Sequence, residues 1–310
     1  MPSDIPQPTA DQAEFLGQLF DAGHLIPTGV PGVYGHSDTY ERIRDRFETM
    51  VSRIAAQDGA VTLKFPPVLP RLNLEQNGYV AKFPQLAASI FSFQGSEADA
   101  LKQGRLAAAH EDWSGFQKQT DLMMLPAACY PVYPAVAARG PLDAGGVSID
   151  MQGTWVFRHE PSLDPARQQI FRQHELIRMG VPDEVVAWRL QWARRALELF
   201  GEIGLEGSVQ TASDPFFGRQ GLLLAANQNA EELKFELVVQ IAGPEPTACA
   251  SFNYHVDQFA GVYGLKFTDG APLHTACVGF GQDRIVLALM RTHGLDPAQW
   301  PASVRARVWD

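Results

Sequence analysis

The sequence predicts an α+β fold: an antiparallel sheet flanked by helices. Two long stretches, about 39–57 and 182–202, carry apolar residues at three- and four-residue steps, which places them on one face of a helix. Strand-like runs crowd the second half, separated by short turns with few helices between, and that favours antiparallel pairing over βαβ units. Of the 310 residues, 45% are apolar and only 19% charged, so a sizeable core is available and a mainly disordered chain is excluded.

Residues 1–8 read as a tail. Thr9 can cap a short helix bearing Phe15, Leu16, Leu19 and Phe20, and a Gly/Pro stretch follows from Pro27 to Gly35. The clearest helix, about 39–57, puts Tyr40, Ile43, Phe47, Met50, Val51 and Ile54 on one side. Ser37 or Asp38 can cap it, and Asp38 with Glu41 has capping-box spacing. Residues 61–65 read as a strand stopped by Pro66 and Pro67, with helical patches expected at 84–91 and about 97–110. Two strands, 155–160 and 169–179, enclose a polar loop. A helix over 182–202 then presents Val185, Val186, Leu190, Ala193, Leu197 and Phe200 on or near one face. Strands are expected at 207–211, 233–241, 248–253 and 273–278, and a helix at about 282–293. An extra stretch at 213–232 reads as a short helix around Leu222 and Leu223. The expected division is an N-terminal tail and short helix at 1–38, then one domain at 39–310.

With a net charge of −10, the chain lacks the Lys/Arg surplus of a non-specific nucleic-acid binder. The uncharged stretch 122–138 is interrupted by Pro126, Pro131 and Pro134 and is shorter than the roughly 20 apolar residues of a membrane-spanning helix. Residues 1–10 show no basic-then-apolar leader pattern, so the cytoplasm is the expected compartment, with no membrane partner. Three widely spaced cysteines, Cys129, Cys249 and Cys277, do not suggest a disulfide framework.

Several residues invite chemistry. On a strand, Arg158 and Glu160 would share a face, as would Phe171, Gln173 and Glu175. If the two strands pair, one surface gains a guanidinium, two carboxylates and a ring; the ordinary alternative is a solvated hairpin. Cys129, Glu175 and Cys277 form a legitimate zinc donor set, although their spacing alone does not distinguish them from two buried structural thiols and a carboxylate. Arg284 opens an otherwise apolar helix after Gly279-Phe280-Gly281-Gln282-Asp283, either as a snorkelling cap or as an anion clamp.

In order, these pieces resemble the three signature motifs of class II aminoacyl-tRNA synthetase catalytic domains. The long helix and following strand resemble motif 1 (about 40–70). Phe157-Arg158-His159-Glu160 with Arg167, Phe171 and Glu175 resembles motif 2 (about 155–179). Gly279-Phe280-Gly281-Gln282-Asp283-Arg284 resembles motif 3 (about 273–293). Motif 2 is the most specific, because its residues keep seryl-type spacing. Within that class the chain is similar to atypical zinc-dependent seryl-tRNA synthetases, and more so to their truncated bacterial relatives, the amino acid:[carrier protein] ligases.

The resemblance implies a class II synthetase-like fold and ATP-dependent activation of glycine or alanine as an aminoacyl-adenylate. Transfer to the phosphopantetheine thiol of a carrier protein would follow. It implies one zinc per chain on Cys129, Glu175 and Cys277, ATP with magnesium as substrate, and a homodimer built through motif 1. Carboxylate attack on a phosphate is anion on anion, so positive charge must sit at the phosphates. The resemblance gives Arg158 the α-phosphate, Arg284 the γ-phosphate and Arg167 a further phosphate or loop contact. It gives Phe171 the adenine stack, Glu160 a nucleotide hydrogen bond, Glu236 the magnesium and Asn253 the substrate side. The 213–232 stretch would meet the carrier, with Arg219 as its cation. Residues 1–38 are too few for a coiled-coil arm at 1.5 Å per residue, which together with the negative charge disfavours tRNA as partner. The alternatives are a small aminoacyl-tRNA synthetase-like enzyme and a non-catalytic amino-acid- or ATP-binding regulatory paralogue.

Overall fold

The computed structural model describes residues 5–310, apart from the side chains of Arg219 and Gln220. Helix α1 (Ala10–Asp21) carries the capping box that Thr9 and Gln12 encode. A small hairpin, β1 (Leu25–Pro27) with β2 (Tyr34–His36), leads into α2 (Asp38–Gln57). Ser37 caps α2 by accepting the Tyr40 N–H, so the Asp38–Glu41 capping box does not form. Glu41 turns instead to His36 and Arg172, whose charge outweighs a bond to a helix-end amide.

Next come β3 (Val61–Leu63), β4 (Val68–Pro70), α3 (Arg71–Gln76) and α4 (Tyr79–Lys82). They are followed by β5 (Ser89–Phe93), α5 (Glu97–Ala108) and β6 (Gln117–Met124). The helix expected at 84–91 is not found: its C-terminal part is β5, paired antiparallel with β6. A short apolar run fits either period, and the pairing partner decided it. Strands β4, β6 and β5 form a three-stranded sheet in that order.

The main body contains α6 (Val132–Ala137), β7 (Val147–Phe157), β8 (Ile170–Gly180), α7 (Pro182–Glu202) and β9 (Gly207–Thr211). It continues through α8 (Gly218–Ala230), β10 (Lys234–Val239), β11 (Thr247–Val256) and α9 (Gln258–Tyr263). It ends with β12 (His274–Gly281), α10 (Gln282–His293) and α11 (Ala302–Val308). Pro182 at the first turn of α7 and the glycine-flanked start of α10 explain why both helices match their sequence bounds. The main sheet has seven strands ordered β3-β7-β8-β12-β11-β10-β9. Every pairing is antiparallel except β3 with β7, which corrects the all-antiparallel expectation. The long excursion between β3 and β7 frees that pair from hairpin geometry.

Strand alternation then sorts the sheet into two faces. The back face sends Leu176, Phe252, Val278 and Phe280 into a core shared with α2, α7 and α10. Phe15, Leu16 and Leu19 of α1 join that same core. The front face is covered at one end by α6 and α9, through Tyr133, Phe259 and Ile177, and is open at the other. Among the described residues no helix is long and apolar enough to cross a membrane.

Candidate active site

The open end of the front face is a cleft of about 940 Å³, within the range of ligand pockets. Every residue that the resemblance assigned to ATP, substrate or metal lines it. The register explains the convergence. Strand β8 presents Phe171, Gln173 and Glu175, with Glu175 opposite Gly279 of β12. Asn253 of β11 faces both Cys277 on one side and Lys234 of β10 on the other, and Glu236 faces Ser251.

Cys129, Glu175 and Cys277 are all buried, and their donor atoms lie within 4.8 Å of one another. The loop bearing Cys129 is tied to β8 where the Ala128 N–H donates to Gln173 Oε1 at 3.1 Å. A Cβ on Gly279 would stand 3.1 Å from Glu175 Oε1, so glycine leaves the carboxylate its room. Burial, then the neighbouring Cys277, pushes the Glu175 carboxyl up to about 8. A hydrogen bond from the Cys129 thiol, with help from His255, pulls Cys277 well below the usual thiol range, and the same bond raises Cys129. Glu175 Oε2 is buried without a hydrogen-bond partner. Two thiols, one of them tuned towards thiolate, and an unsatisfied carboxylate oxygen fit a zinc ion chemically. Cys249 packs into the core where that core meets the cleft wall, apart from the donor trio, and burial pushes its thiol up to about 12.

The side that carries Arg158, Arg167 and Arg284 differs in construction. Arg158 and Glu160 lie beyond the strand, since the β7–β8 ladder ends at Phe157, so they do not share a strand face as expected. A tight loop replaces the extended backbone there: the Glu160 N–H returns to Arg158 O, and Glu160 pairs with Arg167 at 3.2 Å. Arg158 donates from Nε to Pro126 O at 3.0 Å and stands over the Phe171 ring at 5.7 Å. Arg284 is held by two carbonyls, Ala166 O and Ala248 O, each at 2.8 Å. Burial lowers the Arg284 pKa from its ordinary value. Among the described residues neither Arg158 nor Arg284 has a carboxylate partner within salt-bridge distance.

Lys234, its partner Asp214 and His255 escaped the sequence reading. Lys234 bridges Asp214 (2.7 Å) and Glu236 (3.0 Å), so the carboxylate assigned to magnesium is already balanced by an ammonium. Its position two residues before Glu236 was the signal, because strand alternation puts both on one face. His255 lies with Nε2 3.6 Å from Cys277 Sγ, and Asn253 Nδ2 donates to the same sulfur at 3.4 Å. His255 precedes Val256, a β-branched residue at φ 53° beside a register shift, which no sequence pattern announces. The Arg219 side chain, expected to meet the carrier, lies outside the described residues.

No protein-family model matches the chain. Among solved structures, Methanopyrus kandleri SerRS in complex with A. aeolicus tRNASec shares the fold at TM-score 0.81 and 18% identity. That match covers 99% of this chain and 62% of that one. The architecture is therefore that of class II aminoacyl-tRNA synthetases. A type-2 serine--tRNA ligase of M. kandleri is 26% identical over 200 residues, which is 60% of this chain but only 37% of that protein. Amino acid--[acyl-carrier-protein] ligase 2 of Bradyrhizobium diazoefficiens is 41% identical over 305 residues, covering 98% of this chain and 90% of that one. The chain belongs to the amino acid--[acyl-carrier-protein] ligase family.

Proposed function

We propose that this protein activates a small amino acid, glycine or alanine, with ATP and transfers it to the phosphopantetheine thiol of a carrier protein. One observation carries the reading: a single cleft holds Arg158, Arg284 and Phe171 beside Cys129, Glu175 and Cys277. Residues 39–310 form the catalytic unit in this reading, with the helix of 1–38 buttressing it.

The amino acid carboxylate attacks the α-phosphorus of ATP. The bond to the β-phosphate oxygen breaks, and pyrophosphate leaves with the electron pair. Arg158 and Arg284 supply the positive charge this requires, Arg158 at the α-phosphate and Arg284 at the γ-phosphate. Phe171 stacks on the adenine, Glu160 accepts from the nucleotide, and Arg167 holds the loop or a further phosphate. Held by Cys129, Glu175 and Cys277, zinc would offer an open coordination position to the substrate amino group. Asn253 lines the substrate side. Glu236 remains the acid for the magnesium that arrives with ATP, but Lys234 competes for its carboxylate, and no step depends on it. The carrier thiolate then attacks the adenylate carbonyl; the C–S bond forms, the acyl–phosphate bond breaks and AMP departs.

The acceptor reading rests on α8. Leu222 and Leu223 are 72% and 69% exposed, an apolar pair with no cover in the chain. Phe216, at its base, stacks on Phe83 at 5.1 Å, and Leu224 lines the cleft, so α8 adjoins the site a pantetheine arm must reach. The three buried, unpaired cysteines suit a reducing compartment, the cytoplasm. The edge position of β3, beside α2, is where a second copy would join to make a homodimer.

The test offers the purified enzyme labelled glycine or alanine with either total tRNA or a phosphopantetheinylated carrier. Label is expected on the carrier. Label on tRNA alone would overturn the acceptor and favour the synthetase reading, since one structural neighbour is solved with tRNA. Replacing Leu222 and Leu223 with serine is expected to spare amino-acid-dependent pyrophosphate exchange and to cut transfer.

A further inference from the structure

Behind the cleft, on the opposite face of β8, lies a charged cluster whose Arg172 and Asp283 do not line the cleft. Arg172 and Asp283 are 4% and 2% exposed. The Arg172 N–H donates to Asp283 Oδ2 at 2.6 Å, and its Nη2 donates to Asp283 Oδ1 at 3.3 Å. The same guanidinium grips both carboxylate oxygens of Glu41 on α2, one of them at 2.6 Å, and lies over the Trp155 ring at 4.6 Å. Tyr40 donates its hydroxyl to the Asp283 carbonyl at 3.0 Å. Each partner of the Arg172–Asp283 pair is the immediate chain neighbour of a cleft residue: Phe171 precedes Arg172, and Arg284 follows Asp283.

We propose that Arg172 and Asp283 are positioning residues that fix the adenine-stacking ring of Phe171 at one distance from the phosphate-facing guanidinium of Arg284. This rests on the ATP site proposed above. Phe171 sits on a strand and Arg284 on the first turn of a helix, so a small slide of α10 along β8 would alter the span that one ATP molecule must bridge. Apolar contacts tolerate such slides, whereas a two-point bond from one amide and one guanidinium to one carboxylate does not. A buried ion pair is weak evidence for stability, because desolvation offsets most of its attraction; fixing one arrangement is the better-attested use. Displacement of a reacting group by about 1 Å costs on the order of 10²-fold in rate, so the placement has consequences. Neither side chain reaches the cleft, so neither acts on substrate directly.

The experiment measures amino-acid-dependent pyrophosphate exchange in the full chain, varying ATP and amino acid separately, with zinc content and thermal midpoint alongside. Asp283→Asn and Arg172→Lys are expected to raise the KM for ATP tenfold or more, while the KM for the amino acid and the zinc content stay near wild type. The double variant is expected to be no worse than the poorer single one, because the pair acts as a unit. Should Asp283→Asn fail to fold, Asp283→Glu keeps the charge and lengthens the link by one methylene; the same rise in ATP KM is expected. Wild-type KM for ATP, or an equal loss for both substrates, overturns the proposal. Phe171→Ala and Arg284→Ala separate the two readings. If they leave the KM for ATP unchanged, the ATP site itself is misplaced and the proposal falls with it. If they raise it while the Asp283 and Arg172 variants do not, only the positioning role falls.

Discussion

The two faces of β8 handle charge in opposite ways. On the back, the carboxylates have partners, Glu41 and Asp283 with Arg172 and Asp150 with His174 at 2.5 Å, although Arg172 Nε and His174 Nδ1 make no hydrogen bond. Burial alone would raise the Glu41 carboxyl, but hydrogen bonds from His36 and Arg172 hold it well below the usual carboxylate range. On the front, one residue along, Glu175 has no cation partner, keeps an unsatisfied oxygen and is raised to about 8 by burial. Among the described residues, the hydrogen bonds of Arg158 and Arg284 likewise go to backbone carbonyls and not to carboxylates. Buried charge without a partner is costly, so a sequence that leaves it on one face and cancels it on the other separates a binding surface from a scaffold.

The sharpest way to break this comparison is to remove the front-face thiols. Cys129→Ser and Cys277→Ser are each expected to abolish amino acid activation and zinc binding, measured by pyrophosphate exchange and elemental analysis, whereas Cys249→Ser, outside the donor trio, is expected to do neither. Elemental analysis is needed because other divalent metals bind such sites in vitro. Full zinc occupancy in the Cys129→Ser/Cys277→Ser double variant would move the metal elsewhere. Next in size come the arginines. Arg158→Ala and Arg284→Ala should each lower exchange by about 10²–10³-fold, the usual cost of removing a charge-stabilising group. Wild-type exchange in either would show that residue to be part of the scaffold.

How much of this contrast was legible in the sequence depended on whether its partners were local. The bounds of helix α7 were readable to the residue because its first-turn proline and its length lie in one segment, but its buried face was not: Trp192, Ala196 and Leu199 face the core, while Leu190 and Leu197, expected there, are exposed. The front-face residues were found through motif spacing, which ties Phe171 and Glu175 to Arg158 and Arg167 within one stretch. The donor trio needed the resemblance, because Cys129, Glu175 and Cys277 meet only through tertiary folding. The back-face network was invisible. Alternation says that Arg172 points away from Phe171, but nothing local says that Glu41 from α2 and Asp283 from α10 wait there. Strand β5 was misread as helix because its few apolar residues carry no decisive period until β6 is beside them.

A smaller effect sharpens the front face itself. If the amino group is recognised by the metal, selection among amino acids must come from space beside the Cα. Glycine and alanine should then both be activated, with a modest preference between them, since one methyl is worth only about 1–3 kcal/mol. Larger side chains should be excluded by clash in a twenty-amino-acid exchange panel. Serine activated faster than both would contradict the small-pocket reading and revive the seryl-type one.

The smallest expected effect tests the back face as scaffold alone. Burial of Asp150 would raise its pKa, yet the hydrogen bond from His174, with Gln152 and Ser52, outweighs it and lowers the carboxyl below its ordinary 3.8. A carboxylate depressed in the folded state contributes stability above the unfolded pKa and loses it as pH falls through the folded one. The contribution of Asp150 should therefore be constant above about pH 5, begin to fade as pH approaches the unfolded 3.8 and be lost as pH falls through the lower folded value. Thermal midpoints of wild type and Asp150→Asn, followed from neutral pH downwards, should keep a fixed separation and converge in that acid window. At about 2–4 °C per kcal/mol, the convergence amounts to a few degrees. Pyrophosphate exchange at neutral pH should remain near wild type in Asp150→Asn, because the pair lies behind the sheet. A separation that widened in acid would reverse the sign argued here, and a collapse of exchange in a folded Asp150→Asn protein would mean that the two faces are not independent.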